Sequence, residues 1–383
     1  MDFELSAEQT MFRDMAREFA KREIIPVVKE DDRGEYYRPE IIRKMAALGL
    51  LSGTIPREYG GLGIDYICYS LICEEIGGAS GAIFASTLLA HVSLFQLAIL
   101  EWGNSGLKET YLPHTVRGEL LGCCALFESD ISGDWANPEI NAVPDGENYW
   151  VLNGSNKKLV TNGGVADLAL VFAQTDMRKG NAGISAFLVE KGTAGFSSCH
   201  VNGKVGLRAS NMAQLILEHS RVPAENLLGK AGDGFEIAMS SLDRAHLSLG
   251  AAAVGIAQAC INASSSYARE RRQFNRPISS FQLIQESIAD MVIETEAARF
   301  LVYRLGHLMN RRIRATKEAA MAKAYATEVA LRAASKAIQI HGAYGVSADY
   351  PLERYYRDAI ALDILEGIPQ NQKIIVGRKA LEI

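Results

Sequence analysis

The residues best suited to chemistry gather near the C-terminus. Glu366 closes the apolar run Ala361-Leu362-Asp363-Ile364-Leu365, and Gly367 and Pro369 follow at once. That punctuation stops a helix, so the carboxylate stands at a helix end. Beside Leu362, Ile364 and Leu365 it loses hydration, and a desolvated carboxylate has a raised pKa. Such a group suits a general base that takes a proton near neutral pH. Taken alone, the same letters also describe a surface glutamate at a helix end. Asp243 and His246 lie on an Ala-rich helical stretch, where a lone histidine is more often structural than reactive.

These groups need elements to hold them. At ~150 residues per domain, a 383-residue chain divides into two or three domains. Residues 1–120 read as all-α. Ser6 to Gln9 forms a capping box ahead of Phe12, Met15, Ala16 and Phe19 at helical spacing. Pro39 opens another helix, with Ile42, Met45 and Leu48 on one face. Residues 121–231 read as a small β domain, with strands at 168–172, 184–189 and 214–217 and a tight hairpin turn at Asn153-Gly154. Residues 232–383 return to helix, in long stretches from Phe235 to about Arg269, Phe281 to about Met309, and Ala315 to Ile340. The expected fold class is α+β multidomain: a helical N-terminal domain, a middle β-sheet or barrel domain, and a C-terminal four-helix bundle.

Composition narrows the partners. A net charge of −5 gives no reason to expect nucleic acid or an anionic membrane surface. No run approaches the ~20 apolar residues of a spanning helix, and the acidic N-terminus carries no signal or transit pattern. Six cysteines without a C-x-x-C pair read as free thiols in a reducing compartment, so a cytoplasmic protein is expected. No spacing links histidines and cysteines as metal ligands.

The order of the motifs carries more. Pro56-Arg57-Glu58-Tyr59-Gly60-Gly61-Leu62-Gly63, Leu159-Val160-Thr161-Asn162-Gly163-Gly164 and Leu242-Asp243-Arg244-Ala245-His246 come first. Then follow Tyr267-Ala268-Arg269-Glu270-Arg271-Arg272-Gln273-Phe274-Asn275-Arg276-Pro277-Ile278, Gln339-Ile340-His341-Gly342-Ala343-Tyr344-Gly345, Tyr350-Pro351-Leu352-Glu353-Arg354, Tyr356-Arg357-Asp358-Ala359 and Glu366-Gly367. This succession resembles the acyl-CoA dehydrogenase family over nearly the whole chain. The resemblance implies FAD-dependent α,β-dehydrogenation of an acyl thioester, with Glu366 removing the α-proton and flavin N5 taking the β-hydride.

It also assigns roles. Leu126, Phe127, Ser132, Gly133, Leu159, Val160, Thr161, Ile368 and Gln370 would touch the flavin ring side. Arg271, Gln273 and Phe274, with Gln339, Gly342 and Ala343, would hold the pyrophosphate and adenine end, across a subunit boundary in a homotetramer. Ser132, Gly133, Asp243, His246, Leu365, Gly367 and Arg378 would contact the thioester, Asp243 through its pantetheine arm. The family's alternative base position is Ala245, which cannot take a proton. The chain departs from the family at Phe127, Ser129 and Ser132-Gly133, at Leu159, at His246, and at Ile368-Pro369, where hydroxyls are usual. Pro369 is expected to stiffen that turn and remove an N–H. Those changes leave room for an acyl group carried on an acyl-carrier protein, or for a non-catalytic flavin-binding relative. From Ala79 to Glu101 there is no Lys or Arg, so the acyl group is expected to be uncharged, with His91 as the one reservation. An electron-transfer flavoprotein or similar carrier would take the electrons.

Overall fold

The computed structural model describes residues 4–126 and 139–382; Phe127, Ser129, Ser132 and Gly133 lie outside the described residues. The chain opens with α1 (Ala7–Phe19), where Ser6 and Gln9 exchange both bonds of the capping box. Helices α2 (Val28–Gly34) and α3 (Pro39–Ala47) follow. Proline does start α3, but its buried face is Ile41, Ile42 and Met45; Leu48 caps the helix and is 45% exposed, because the helix ends one residue earlier. Helix α4 (Tyr66–Ala79) is capped by Asp65. Helix α5 (Gly81–Phe84) runs through a wholly buried π-helical stretch, Ala85–Gln96, into α6 (Leu97–Trp102). Helix α7 (Ser105–Val116) completes the helical layer.

The middle region is one eight-stranded sheet. It comprises β1 (Gly122–Ala125), β2 (Asn141–Asp145), β3 (Tyr149–Thr161), β4 (Leu168–Gln174), β5 (Ile184–Glu190), β6 (Phe196–His200), β7 (Met212–Pro223) and β8 (Leu227–Leu228). The strands run in the order β6-β7-β3-β2-β4-β5-β8, with β1 parallel to β4. The hairpin turn expected at Asn153-Gly154 is absent: β3 continues through it with a register shift against β7. A side chain at Gly154 would meet the Glu139 carbonyl oxygen at 2.3 Å, so this glycine serves close backbone approach rather than a turn. The turn itself lies at residues 146–148, where Asp145 pairs with Tyr149.

The C-terminal region holds α8 (Gly234–Glu270), the hairpin β9 (Arg272–Gln273) and β10 (Arg276–Pro277), then α9 (Gln282–Asn310), α10 (Thr316–His341), α11 (Leu352–Ile364) and α12 (Pro369–Leu381). Helix α8 packs against α9, α10 and α4. Gly77 of α4 sits so close to α8 that a Cβ there would meet the Ala252 Cα at 2.6 Å. One hydrophobic core thereby runs from α1 through α4 into the C-terminal helices, and a second fills the sheet. Contrary to expectation, two helical stretches, Gly81–Trp102 and Gly234–Glu270, are long and apolar enough to cross a bilayer. Neither is an unbroken apolar run, but their scattered polar residues leave the average hydropathy high. Both stretches are mostly buried inside the fold.

Candidate active site

Glu366 sits in the turn between α11 and α12, half-buried, with φ +53°. A left-handed backbone costs a residue with a side chain about 1–2 kcal/mol, so the surroundings must hold it there. They do so through main-chain carbonyls. The Lys323 ammonium, on α10 and fully buried, donates to the Asp363 carbonyl at 2.6 Å and the Gly367 carbonyl at 2.7 Å. His246, on α8, meets the Glu366 carbonyl at 2.9 Å through Nε2. Burial holds the His246 pKa down to about 4, so the ring is neutral at pH 7 and Nε2–H is the donor. Thr327 adds a 2.5 Å bond to the Asp363 carboxylate. Bonds from charged donors contribute about 1.5–3 kcal/mol each, enough to outweigh the strain at Glu366.

Electrostatics set Glu366 within a small buried group. Burial lowers the Lys323 pKa to about 8, against the pull of Asp363, Glu366 and Glu328, so it is mostly charged at neutral pH. The Cys124 thiol, on β1, is pushed well above its ordinary value by burial and then by the Glu366 charge. Glu366 is thus lodged between the α8–α10 pair and the edge of β1.

The other expected substrate residues are placed unevenly. Asp243 is three positions before His246 on α8. It accepts a 2.7 Å bond from Thr316, and burial raises its pKa against the pull of that bond and of Arg314 and Arg244. His246, expected at the substrate, instead spends its Nε2–H on the main chain. Ala245 is buried and carries no proton. Leu365, Gly367 and Ile368 surround Glu366 and are half-buried, while Gln370 is exposed. Pro369 is the first residue of α12, where a helix leaves its N–H unused, so the loss expected there does not arise. Arg378 is exposed in the last turn of α12, roughly 14 Å along that helix from its start. His91 is no substrate contact: it is buried, accepts from the Gly122 N–H at 3.0 Å and meets the Thr115 carbonyl at 3.0 Å.

On the sheet side, Leu126 follows β1, and Leu159, Val160 and Thr161 end β3 beyond a register shift. Val160 is buried, Thr161 half-buried and Leu159 46% exposed. Asn162 pins this edge to the helical layer by a bond to the Ser86 carbonyl and to β1 by a bond to the Gly122 carbonyl. The remaining candidates lie at the far end of α8. Phe274 and Asn275 both have positive φ and form the two-residue turn of the β9–β10 hairpin, which leaves Phe274 87% exposed. The Arg271 guanidinium lies 6.0 Å from the Tyr344 ring, with no carboxylate partner among the described residues. Exposed Gln339, Gly342 and Ala343 close α10 beside it, and a side chain at Gly342 would meet nothing within 4 Å. From His246 to Tyr267 the helical rise is about 30 Å. Arg271, an open glycine corner and an exposed aromatic ring fit the phosphates and adenine of FAD, but at the opposite end of α8 from Glu366.

Sequence reasoning does not find Lys323, Thr327 or Cys124. A signal for Lys323 exists: a single lysine among Ala319, Ala320, Ala322, Ala324 and Ala326, on the most apolar face of α10.

Three family models match in sequence: the acyl-CoA dehydrogenase N-terminal domain over residues 6–119, the middle domain over 123–220 and the C-terminal domain over 232–381. A short-chain specific acyl-CoA dehydrogenase of Clostridium acetobutylicum is 41% identical over 99% of both chains. An NADH-dependent acryloyl-CoA reductase of Anaerotignum propionicum is 43% identical over all of this chain and 96% of that protein. The structure of butyryl-CoA dehydrogenase from Megasphaera elsdenii superposes with a TM-score of 0.96 at 37% identity, covering all of both chains. The chain belongs to the acyl-CoA dehydrogenase family and is an FAD-dependent oxidoreductase acting on the CH–CH bond of acyl thioesters.

Proposed function

We propose that this enzyme oxidises a short, uncharged acyl-CoA between Cα and Cβ, with Glu366 as the base for the α-proton. The observation that carries this is the pinned, left-handed Glu366 between the α8–α10 pair and the β1 edge. Its carboxylate receives the α-proton, and its main-chain N–H would donate to the thioester oxygen as negative charge develops there. Bound FAD supplies the acceptor for the β-hydrogen. Leu365, Gly367 and Asp243 line the approach of the thioester, Arg378 binds farther out, and Leu126, Leu159, Val160, Thr161, Ile368 and Gln370 bound the flavin side. The acyl pocket borders Ala79–Glu101, which holds no lysine or arginine, and its one histidine is spent on structure. A buried substrate carboxylate would there lack a partner, at a cost of several kcal/mol. The two named relatives acting on short acyl groups support the chain length.

The assembly belongs to the same reading. Arg271, Gln273, Phe274, Gln339, Gly342 and Ala343 stand about 30 Å along α8 from Glu366, so they serve the FAD of a neighbouring subunit in a homotetramer. The domains divide at 120/121 and 231/232, the protein is cytoplasmic, and an electron-transfer flavoprotein or similar carrier receives the electrons. The test is anaerobic. The holoenzyme is mixed with a panel of acyl-CoA thioesters, glutaryl-CoA and the matching acyl-carrier-protein thioesters, and flavin absorbance is followed. A short uncharged acyl-CoA should bleach it fastest. A faster response to the dicarboxylic thioester would overturn the proposed substrate, and a faster response to the carrier-bound one would move the substrate from CoA to carrier protein.

A further inference from the structure

We propose that Lys323 is a positioning residue for Glu366: together with His246 it fixes the main chain on both sides of that residue, and so sets where the carboxylate and the Glu366 N–H point. The inference rests on the reading that Glu366 is the base. Three anchoring carbonyls of one turn, those of Asp363, Glu366 and Gly367, are held by two side chains from two different helices. The Asp363 carbonyl belongs to the last turn of α11, where carbonyls lack helical partners and a cation is favoured. Water or a glycine cap satisfies most such ends. Here the fold instead buries an ammonium completely, on a helix face made mostly of alanine, with Thr327 one turn on. An apolar side chain would fill that space without desolvating a charge. The lysine is kept where its two bonds bracket the one non-glycine residue of the turn with a positive φ. Its charge is faced by Asp363 and Glu366 across the turn, by Glu328 on its own helix and by neutral His246 on α8.

The test separates positioning from stability. Lys323→Met keeps length and apolar bulk but removes the donors; Lys323→Gln keeps an N–H donor. Lys336→Met, at an exposed ion pair on the same helix, is the control. With each holoenzyme, deuterium uptake at Cα is measured for a thioester in which sulfur replaces Cβ, so that proton removal is seen without oxidation. Flavin content, thioester affinity and melting temperature are measured on the same samples. Lys323→Met should slow exchange at least tenfold with affinity within threefold of wild type. Lys323→Gln should recover part of the rate, and the control should match wild type. Wild-type exchange in Lys323→Met, with Glu366→Gln inactive, overturns the positioning role alone. Wild-type exchange in Glu366→Gln overturns the underlying reading instead. If Lys323→Met does not retain flavin, the smaller donor-free Lys323→Ala decides: wild-type exchange there overturns the proposal, and a loss without change in affinity supports it.

Discussion

The two stretches of α8 that carry the candidate residues, about 30 Å apart, are built on opposite plans. At His246 the backbone around Glu366 is held by buried groups from α8 and α10. At Tyr267 the candidate residues Arg271, Phe274 and Gly342 face outward, and Phe274 is nearly fully exposed. Chemistry that moves a proton needs a base held to fractions of an ångström, and burial supplies that rigidity. Cofactor phosphates tolerate flexible, solvated partners, and an exposed half-site invites a second subunit to complete it. On the proposed assignment, one end governs rate and the other governs occupancy.

That contrast breaks most sharply at the catalytic end. Glu366→Gln should keep FAD and thioester binding yet lose about 10²–10⁴-fold in anaerobic flavin reduction, the contribution of a general base. A near-wild-type rate, measured by stopped flow with flavin content checked, would move the base elsewhere. At the other end, Arg271→Ala removes charge-assisted bonds worth about 1.5–3 kcal/mol. Flavin affinity should fall roughly ten- to a hundredfold, while saturated enzyme should reduce its flavin at an unchanged rate. A slowed rate at full occupancy would mean that the two ends are not separable in this way.

Legibility from sequence follows the same divide. Helices α8, α9 and α10 are readable to within about a residue, because long Ala-rich periods and Gly or Pro punctuation are local signals. So is Glu366 as the end of an apolar run. Misreadings arise where a local signal has a tertiary cause. Asn153-Gly154 looks like a turn, but the glycine admits the Glu139 carbonyl. Leu48 fits the apolar face of α3 but falls on its cap. His246 reads toward substrate, since nothing in one sequence shows that a carbonyl 120 positions later will claim its proton. Lys323 escapes notice because a lysine on a helix is ordinarily solvated; only packing shows it buried.

A third expected effect concerns acid. His91 and His246 are both buried, and desolvation lowers each pKa from 6.5 to about 4. Between those values the unfolded chain binds protons that the folded chain refuses, so stability rises with pH there and falls as pH drops from about 6.5 toward 4. Each shift corresponds to at most about 3–4 kcal/mol. Melting temperature should decline steeply across this window. His91→Gln should be less stable at pH 7.5 yet show a shallower acid slope. A wild-type melting temperature flat from pH 6.5 to 4.5 would show that neither imidazole stays neutral.

The smallest expected effect sharpens where the rigidity of the Glu366 turn comes from. The sequence suggests Pro369 as its stiffener. In the fold Pro369 is the first residue of α12, its missing N–H is one that the helix does not use, and the carbonyls of Asp363, Glu366 and Gly367 are held by Lys323 and His246. Pro369→Ala should then act chiefly through the unfolded chain, which gains freedom, and cost about 0.4–1 kcal/mol of stability. Flavin reduction should stay within about threefold of wild type, under 1 kcal/mol on the barrier. Urea melts and single-turnover reduction on one preparation measure both. A tenfold loss of rate at unchanged affinity would return part of the positioning to the proline ring and weaken the assignment of the turn to the two buried side chains.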